Sequence, residues 1–108
     1  MIKCVFFQSE GLLRGFEISG HAGAGTAGND IVCAAVSSAA YMTVNTLSEI
    51  LKIDAEPEVG GAFMKLALTA AQAEKARDLL KGFELHIIQT GKANPGKIKV
   101  VYGGQKNA

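Results

Sequence analysis

The sequence predicts an α+β fold in which two long helices pack on a mostly antiparallel sheet of about five strands, in the order ββαββαβ. Three observations carry this expectation. Stretches at 2–7, 14–19, 53–59, 62–68 and 98–102 alternate in side-chain character with a period of two, as half-buried strands do. Two longer stretches, 31–51 and about 70–88, repeat apolar residues every three or four positions, as amphipathic helices do. Turn residues at Ser9-Glu10-Gly11 and Gly60-Gly61 sit between consecutive strands and predict hairpins. A chain of 108 residues fits a single domain, 1–108, large enough to bury one core without disulfides or metals.

The elements follow in order. Ile2, Cys4 and Phe6 form a core-facing row against Lys3, Val5 and Phe7, so Cys4 is expected to pack in the sheet. Arg14, Phe16 and Ile18 alternate with Gly15, Glu17 and Ser19 in a second strand paired antiparallel to the first. The first helix carries Val32, Val36, Ala39, Ala40, Thr43, Leu47, Ile50 and Leu51 on its inner face, and its small residues let the sheet or a partner approach closely. Ile53 to Val59 and Ala62 to Leu68 read as a hairpin around Gly60-Gly61. Pro57 marks the first of these strands as an edge or a bulge, because it has no N–H to donate. Thr69 or Ala70 opens the second helix, built on Ala73, Ala76, Leu79, Leu80, Phe83, Ile87 and Ile88 and ended by Gly91 with Asn94-Pro95-Gly96. His86 falls within it with no companion ligand or nucleophile and reads as a surface histidine. Ile98, Val100 and Tyr102 mark the last strand, and Gly103 to Ala108 read as a frayed tail. With both helices on one face, the other face would carry Val5, Phe7 and Phe63 beside Lys3, Glu17 and Lys65, a half-apolar surface that suggests self-association.

Charge narrows the function classes. The net charge is +1, which leaves no electrostatic footprint of direct nucleic-acid binding. Residues 1–71 hold four basic and seven acidic side chains and residues 72–108 hold seven basic and three acidic, an asymmetry that reads as solvated surface. The opening MIKCVFFQSE has too short an apolar run for a signal peptide. No segment is expected to reach the roughly 20 apolar residues of a membrane span, since Ser, Thr and Asn interrupt the first helix. A cytoplasmic protein is expected, in which the two cysteines stay thiols.

One stretch carries chemistry: Gly20-His21-Ala22 through Asp30-Ile31-Val32-Cys33-Ala34-Ala35-Val36-Ser37. A thiolate is the useful nucleophile, and a neighbouring imidazole with the positive end of a helix dipole favours it. Asp30 as N-cap would make Cys33 the third helical residue, beside unpaired N–H groups. The glycines Gly20, Gly23, Gly25 and Gly28 would give the intervening loop the freedom to fold His21 back onto Cys33 and to close over bound peptide. Ser37, one turn after Cys33, could hydrogen-bond near the thiolate, or back-bond to the helix carbonyl at position 33.

The run GHAGAGTAGNDIVCAAVS resembles the signature of the bacterial ribosomal-processing cysteine protease family (Prp), with a histidine in Gly-His-Ala and a cysteine in Asp-Ile-Val-Cys-Ala. The resemblance implies a cysteine endopeptidase with the dyad His21 and Cys33, oxyanion donors at about Cys33 and Ala34, and no cofactor. It implies as substrate a ribosomal protein precursor, the N-terminally extended form of large-subunit protein number twenty-seven, cleaved during ribosome assembly. It also implies a homodimer. Two other classes compete. A thiol-based redox or regulatory protein would use Cys33 reversibly, with Cys4 as the one other thiol. A non-catalytic ribosome-associated module would use the basic C-terminal third. A zinc site on His21 and Cys33 needs two more ligands than the local sequence offers, so no metal is expected.

Overall fold

The computed structural model describes residues 1–20 and 27–104, with the backbone alone for 27–30. Its strands are β1 (Ile2–Ser9), β2 (Leu12–Ser19), β3 (Glu58–Gly60), β4 (Phe63–Ala67) and β5 (Ile98–Gly104), and its helices α1 (Ala27–Asn45), α2 (Ala70–Lys75) and α3 (Arg77–Ala93). The strands form one sheet in the order β3-β4-β2-β1-β5. All neighbours are antiparallel except β1 and β5, where Ile2 pairs with Ile98 and Phe6 with Tyr102 in parallel.

Alternation in β1 decides which face is covered. Ile2, Cys4 and Phe6 are buried, together with Phe16, Met64 and Leu66 from the neighbouring strands. Against them α1 lays Val32, Val36, Ala40, Val44 and Leu47, and α3 lays Leu80, Phe83 and Ile87. Phe83 joins the two layers, its ring 4.7 Å from Phe16 and 5.8 Å from Phe6 between centroids. Burying each such ring stabilises the fold by roughly 2–3 kcal/mol. The opposite rows of the strands, with Val5, Phe7, Phe63 and Val101 among Lys3, Glu17, Lys65 and Lys99, stay at least partly open, as expected. Lys65 Nζ lies 5.8 Å from the Phe7 ring centroid on that face.

The β1–β2 register slips between Phe7 and Gln8, leaving Arg14 as the extra residue of a β-bulge. Arg14 is buried and its Nε donates to the Leu68 carbonyl at 3.0 Å, while Leu68 N–H donates to the Arg14 carbonyl at 2.8 Å. Gly15 beside it has φ +150°, and a Cβ there would stand 2.0 Å from the Leu66 carbonyl oxygen. Only glycine fits where β2 and β4 approach this closely.

Five expectations about boundaries are corrected. The helix α1 begins at Ala27, not after an Asp30 cap, so Asp30 and Gly28 lie inside its first turn. Ala27 is the strongest helix-forming type, and an acidic residue suits a first turn, where the dipole is positive. The helix then widens into a π-turn at Thr46–Ile50, where Leu51 N–H reaches back to the Thr46 carbonyl at 2.9 Å. The strand expected from Ile53 is only the three residues of β3, at the sheet edge; Pro57 immediately before it offers no donor for a longer ladder. Its turn is Gly61-Ala62, because Gly60 pairs with Phe63. The second helix is broken at Ala76 (φ −98°, ψ 8°) into α2 and α3, with Thr69 and Gln72 forming a capping box at the start of α2. Gly103 and Gly104 continue β5 instead of fraying, held by pairing with Phe7 and Gln8. In addition, Ile31–Ile50 is long and apolar enough to cross a membrane by length and composition, with mean hydropathy 1.3, because alanine and valine outweigh its Ser, Thr and Asn. Its inner row is the cover of the sheet just described.

At the far end of the sheet Tyr102 Oη donates to Glu84 at 2.7 Å and Lys81 Nζ donates to the other carboxylate oxygen at 2.7 Å, tying β5 to α3. Burial works against the Glu84 charge, but these two hydrogen bonds and the Lys81 charge hold its carboxyl below the usual range. The Glu84 hydrogen bond, with some desolvation, pushes Tyr102 up to about 12.

Candidate functional site

Cys33 is half-buried on α1, packed at the edge of the core. It lines a cleft of about 290 Å³ bounded on one side by Cys33, Ser37 and Tyr41 of α1. The floor is Ile2 and Ile18 with Gly20 at the exit of β2, and the far wall is the β3–β4 turn at Gly60, Ala62 and Phe63. No charged side chain lines it among the described residues. Residues 33, 37 and 41 recur every fourth position and therefore stand on one helix face.

The backbone at the cleft mouth is fixed by two unusual residues. Gly20 has φ +88°, its N–H donates to the Ala62 carbonyl at 3.1 Å, and a Cβ on it would lie 2.7 Å from the Met1 carbonyl oxygen. Ala62 has φ +55°, a left-handed conformation that non-glycine residues rarely adopt. Gly20, expected to belong to the flexible loop with Gly23, Gly25 and Gly28, is thus a held residue. His21, and the lid expected of residues 22–29 as far as Thr26, lie outside the described residues, as do Gly23 and Gly25.

The earlier helix start changes what Cys33 can draw on. It is the seventh residue of α1 and not the third, beyond the first turn where a helix dipole acts. In a helix of this span the N–H groups of Cys33 and Ala34 point to the carbonyls four residues back, so in this conformation they are not the oxyanion donors expected of them. Ser37 stands on the cleft one turn along, and Asp30 is helical.

The other thiol differs in every respect. Cys4 is fully buried in β1, and desolvation pushes its thiol up to about 12. His86 is exposed on α3, at a groove of about 760 Å³ on the opposite flank of α1 that holds no cysteine. Among the described residues no three His, Cys, Asp or Glu side chains cluster as a metal site.

Sequence reasoning missed the far wall of the cleft. Tyr41 was legible as Cys33 plus eight on one helix face, but Ala62 carries no sign of its conformation, since a left-handed turn residue is expected to be Gly or Asn.

Comparison with known proteins gives the class. The family model for cysteine protease Prp matches residues 1–99, and the chain belongs to that family. Among solved structures, SMU.848 from Streptococcus mutans is 32% identical, with TM-score 0.84 over 97% of this chain and 96% of that one. The ribosomal processing protease Prp of Staphylococcus aureus shares the fold at TM-score 0.77, in complex with a substrate peptide (21% identity) and with a covalently linked product peptide (22%); each match covers 95% of this chain and all of the other. No curated protein sequence matches.

Proposed function

We propose that this chain is a cytoplasmic endopeptidase whose catalytic pair is Cys33 and His21, and that it removes the N-terminal extension of large-subunit ribosomal protein number twenty-seven. The observation that carries this reading is the cleft: Cys33 stands on one wall, and the floor ends at Gly20, the residue bonded to His21. His21 takes the thiol proton and the Cys33 sulfur attacks the scissile carbonyl. The tetrahedral intermediate then collapses to a thioester as His21 protonates the leaving amine, and water releases the acid. Because the N–H groups of Cys33 and Ala34 are spent in the helix ladder, the Ser37 hydroxyl is the supporting donor on the thiol's side of the cleft. Among the described residues the lining is uncharged and mostly apolar, which suits an apolar side chain of the peptide. No cofactor takes part in these steps. The open face of the sheet, apolar at Val5, Phe7 and Phe63 and charged at Lys3, Glu17 and Lys65, is the surface on which two copies would form a homodimer.

The test is to incubate the protein with the ribosomal-protein precursor and read new N-termini by mass spectrometry. A single new N-terminus at the end of the extension is expected, and none with Cys33→Ala. Cleavage by purified Cys33→Ala would end the reading.

A further inference from the structure

The Gly20–Ala62 contact lies on the sheet side of the cleft, where β2 runs beside β4. Gly20 follows β2 and Ala62 closes the β3–β4 turn, and one hydrogen bond of 3.1 Å extends the β2–β4 ladder past the Ser19–Phe63 pair to hold them together beside the cleft. Both residues have positive φ, +88° and +55°. At Gly20 two constraints coincide, because a side chain would need a left-handed backbone and would also meet the Met1 carbonyl at 2.7 Å. At Ala62 the left-handed conformation is one that a side chain disfavours, and the turn adopts it with glycine at position 61 and alanine at position 62.

We propose that Gly20 and Ala62 form a backbone clamp that makes Gly20 a positioning residue for His21. The clamp holds Gly20, to which His21 is bonded, at the end of β2, and Ala62 holds it from the substrate wall. Because Ala62 also lines the cleft, a peptide pressed against that wall acts on the same hydrogen bond. This inference rests on the His21–Cys33 reading above.

Three variants test it. Gly20→Ala brings a Cβ against Met1, Ala62→Pro forces φ to about −65° and swings the carbonyl away from Gly20, and Ala62→Gly keeps the left-handed backbone. The readouts are kcat and KM on the precursor and the pH dependence of Cys33 alkylation by iodoacetamide. Folding is checked by Cys4, which stays closed to Ellman's reagent only in the native protein. Gly20→Ala and Ala62→Pro are expected to lower kcat by about tenfold or more with KM changed by less than about threefold, since a misplaced catalytic group costs rate more than binding. Their alkylation profiles should move toward that of His21→Ala, and Ala62→Gly should recover at least about fivefold of the kcat lost in Ala62→Pro. If Gly20→Ala does not fold, Ala62→Pro carries the test from the other side of the hydrogen bond. Folded Gly20→Ala or Ala62→Pro with the wild-type kcat and profile, while His21→Ala is altered, overturns the clamp and leaves the dyad standing. An unaltered His21→Ala overturns the dyad itself, and the clamp with it.

Discussion

The two thiols of this chain mark two regions that treat the same side chain in opposite ways. Cys4 sits in the second position of β1 on the covered face, with both neighbouring strands paired and no exposed surface. Cys33 sits on a helix flank at the border between core and cleft. In the first region burial disfavours the thiolate, and the sulfur acts as a small hydrophobe. In the second, the cysteine lines an open cleft. The redox alternative would have to use as its second thiol one that burial holds protonated.

The largest expected effect separates the regions by activity. Cys33→Ala should lower turnover of the precursor by at least about 10³-fold, because no other group replaces the nucleophile, with stability changed by no more than about 1 kcal/mol. Chemical denaturation alongside the cleavage assay checks both halves; a large loss of stability would mean that Cys33 is a core residue. The mirror experiment is Cys4→Ala, expected to lose roughly 1–3 kcal/mol through the cavity left in the sheet and to keep its kcat. Cys4→Ser should cost more than Cys4→Ala, as a hydroxyl there is buried among apolar neighbours.

A smaller effect concerns rates of modification. With Ellman's reagent the native protein should show one fast equivalent, mapped to Cys33, and a second that appears only at the rate of unfolding. Two fast equivalents would erase the contrast. The smallest effect is in alkaline titration. The Cys4 thiol is raised from 9.0 to about 12 in the folded protein, so the native state keeps a proton that the unfolded chain gives up. Its stabilising contribution is present below pH 9 and is lost as pH rises from 9 toward 12. Tyr102, raised from 10.0 to about 12, acts in the same sense, so Cys4→Ala should flatten the decline without removing it. Urea midpoints measured between pH 8 and 11 on both proteins give the comparison.

Much of this contrast was legible beforehand, for reasons that differ by element. The alternation Ile2, Cys4, Phe6 placed Cys4 in the sheet because a strand side chain has only two faces to choose from. The β1–β2 hairpin and most of the inner rows of both helices followed from the same kind of periodicity, but Ile50 and Leu51, expected on the inner face of the first helix, are exposed where the π-turn shifts its phase. The start of α1 was misread because Asp30 is a good cap by type, and nothing local weighs it against the helix propensity of Ala27. The break at Ala76 has no marker either: alanine is the residue least expected to interrupt a helix, and the bend serves the packing of Ala73, Ala76 and Leu80, all buried. At the cleft, Cys33 lies on the first helix as its periodicity implied, and lines one wall. The far wall was not legible, since Gly20 and Ala62 meet through backbone atoms, which a sequence does not distinguish.

The parallel pairing of Ile2 with Ile98 has a consequence for the order of assembly. Ile2 is part of the cleft floor, and its N–H donates to the Lys97 carbonyl at 2.9 Å. During synthesis β1 and β2 can zip as a hairpin at once, but β1 keeps a bare edge until β5 has been made, and such long-range closure is slow. The floor beneath Cys33 is then seated last, so a nascent or truncated chain that already carries the whole histidine-to-cysteine stretch lacks a finished peptidase. Proteolytic competence arrives with the closing strand of the sheet.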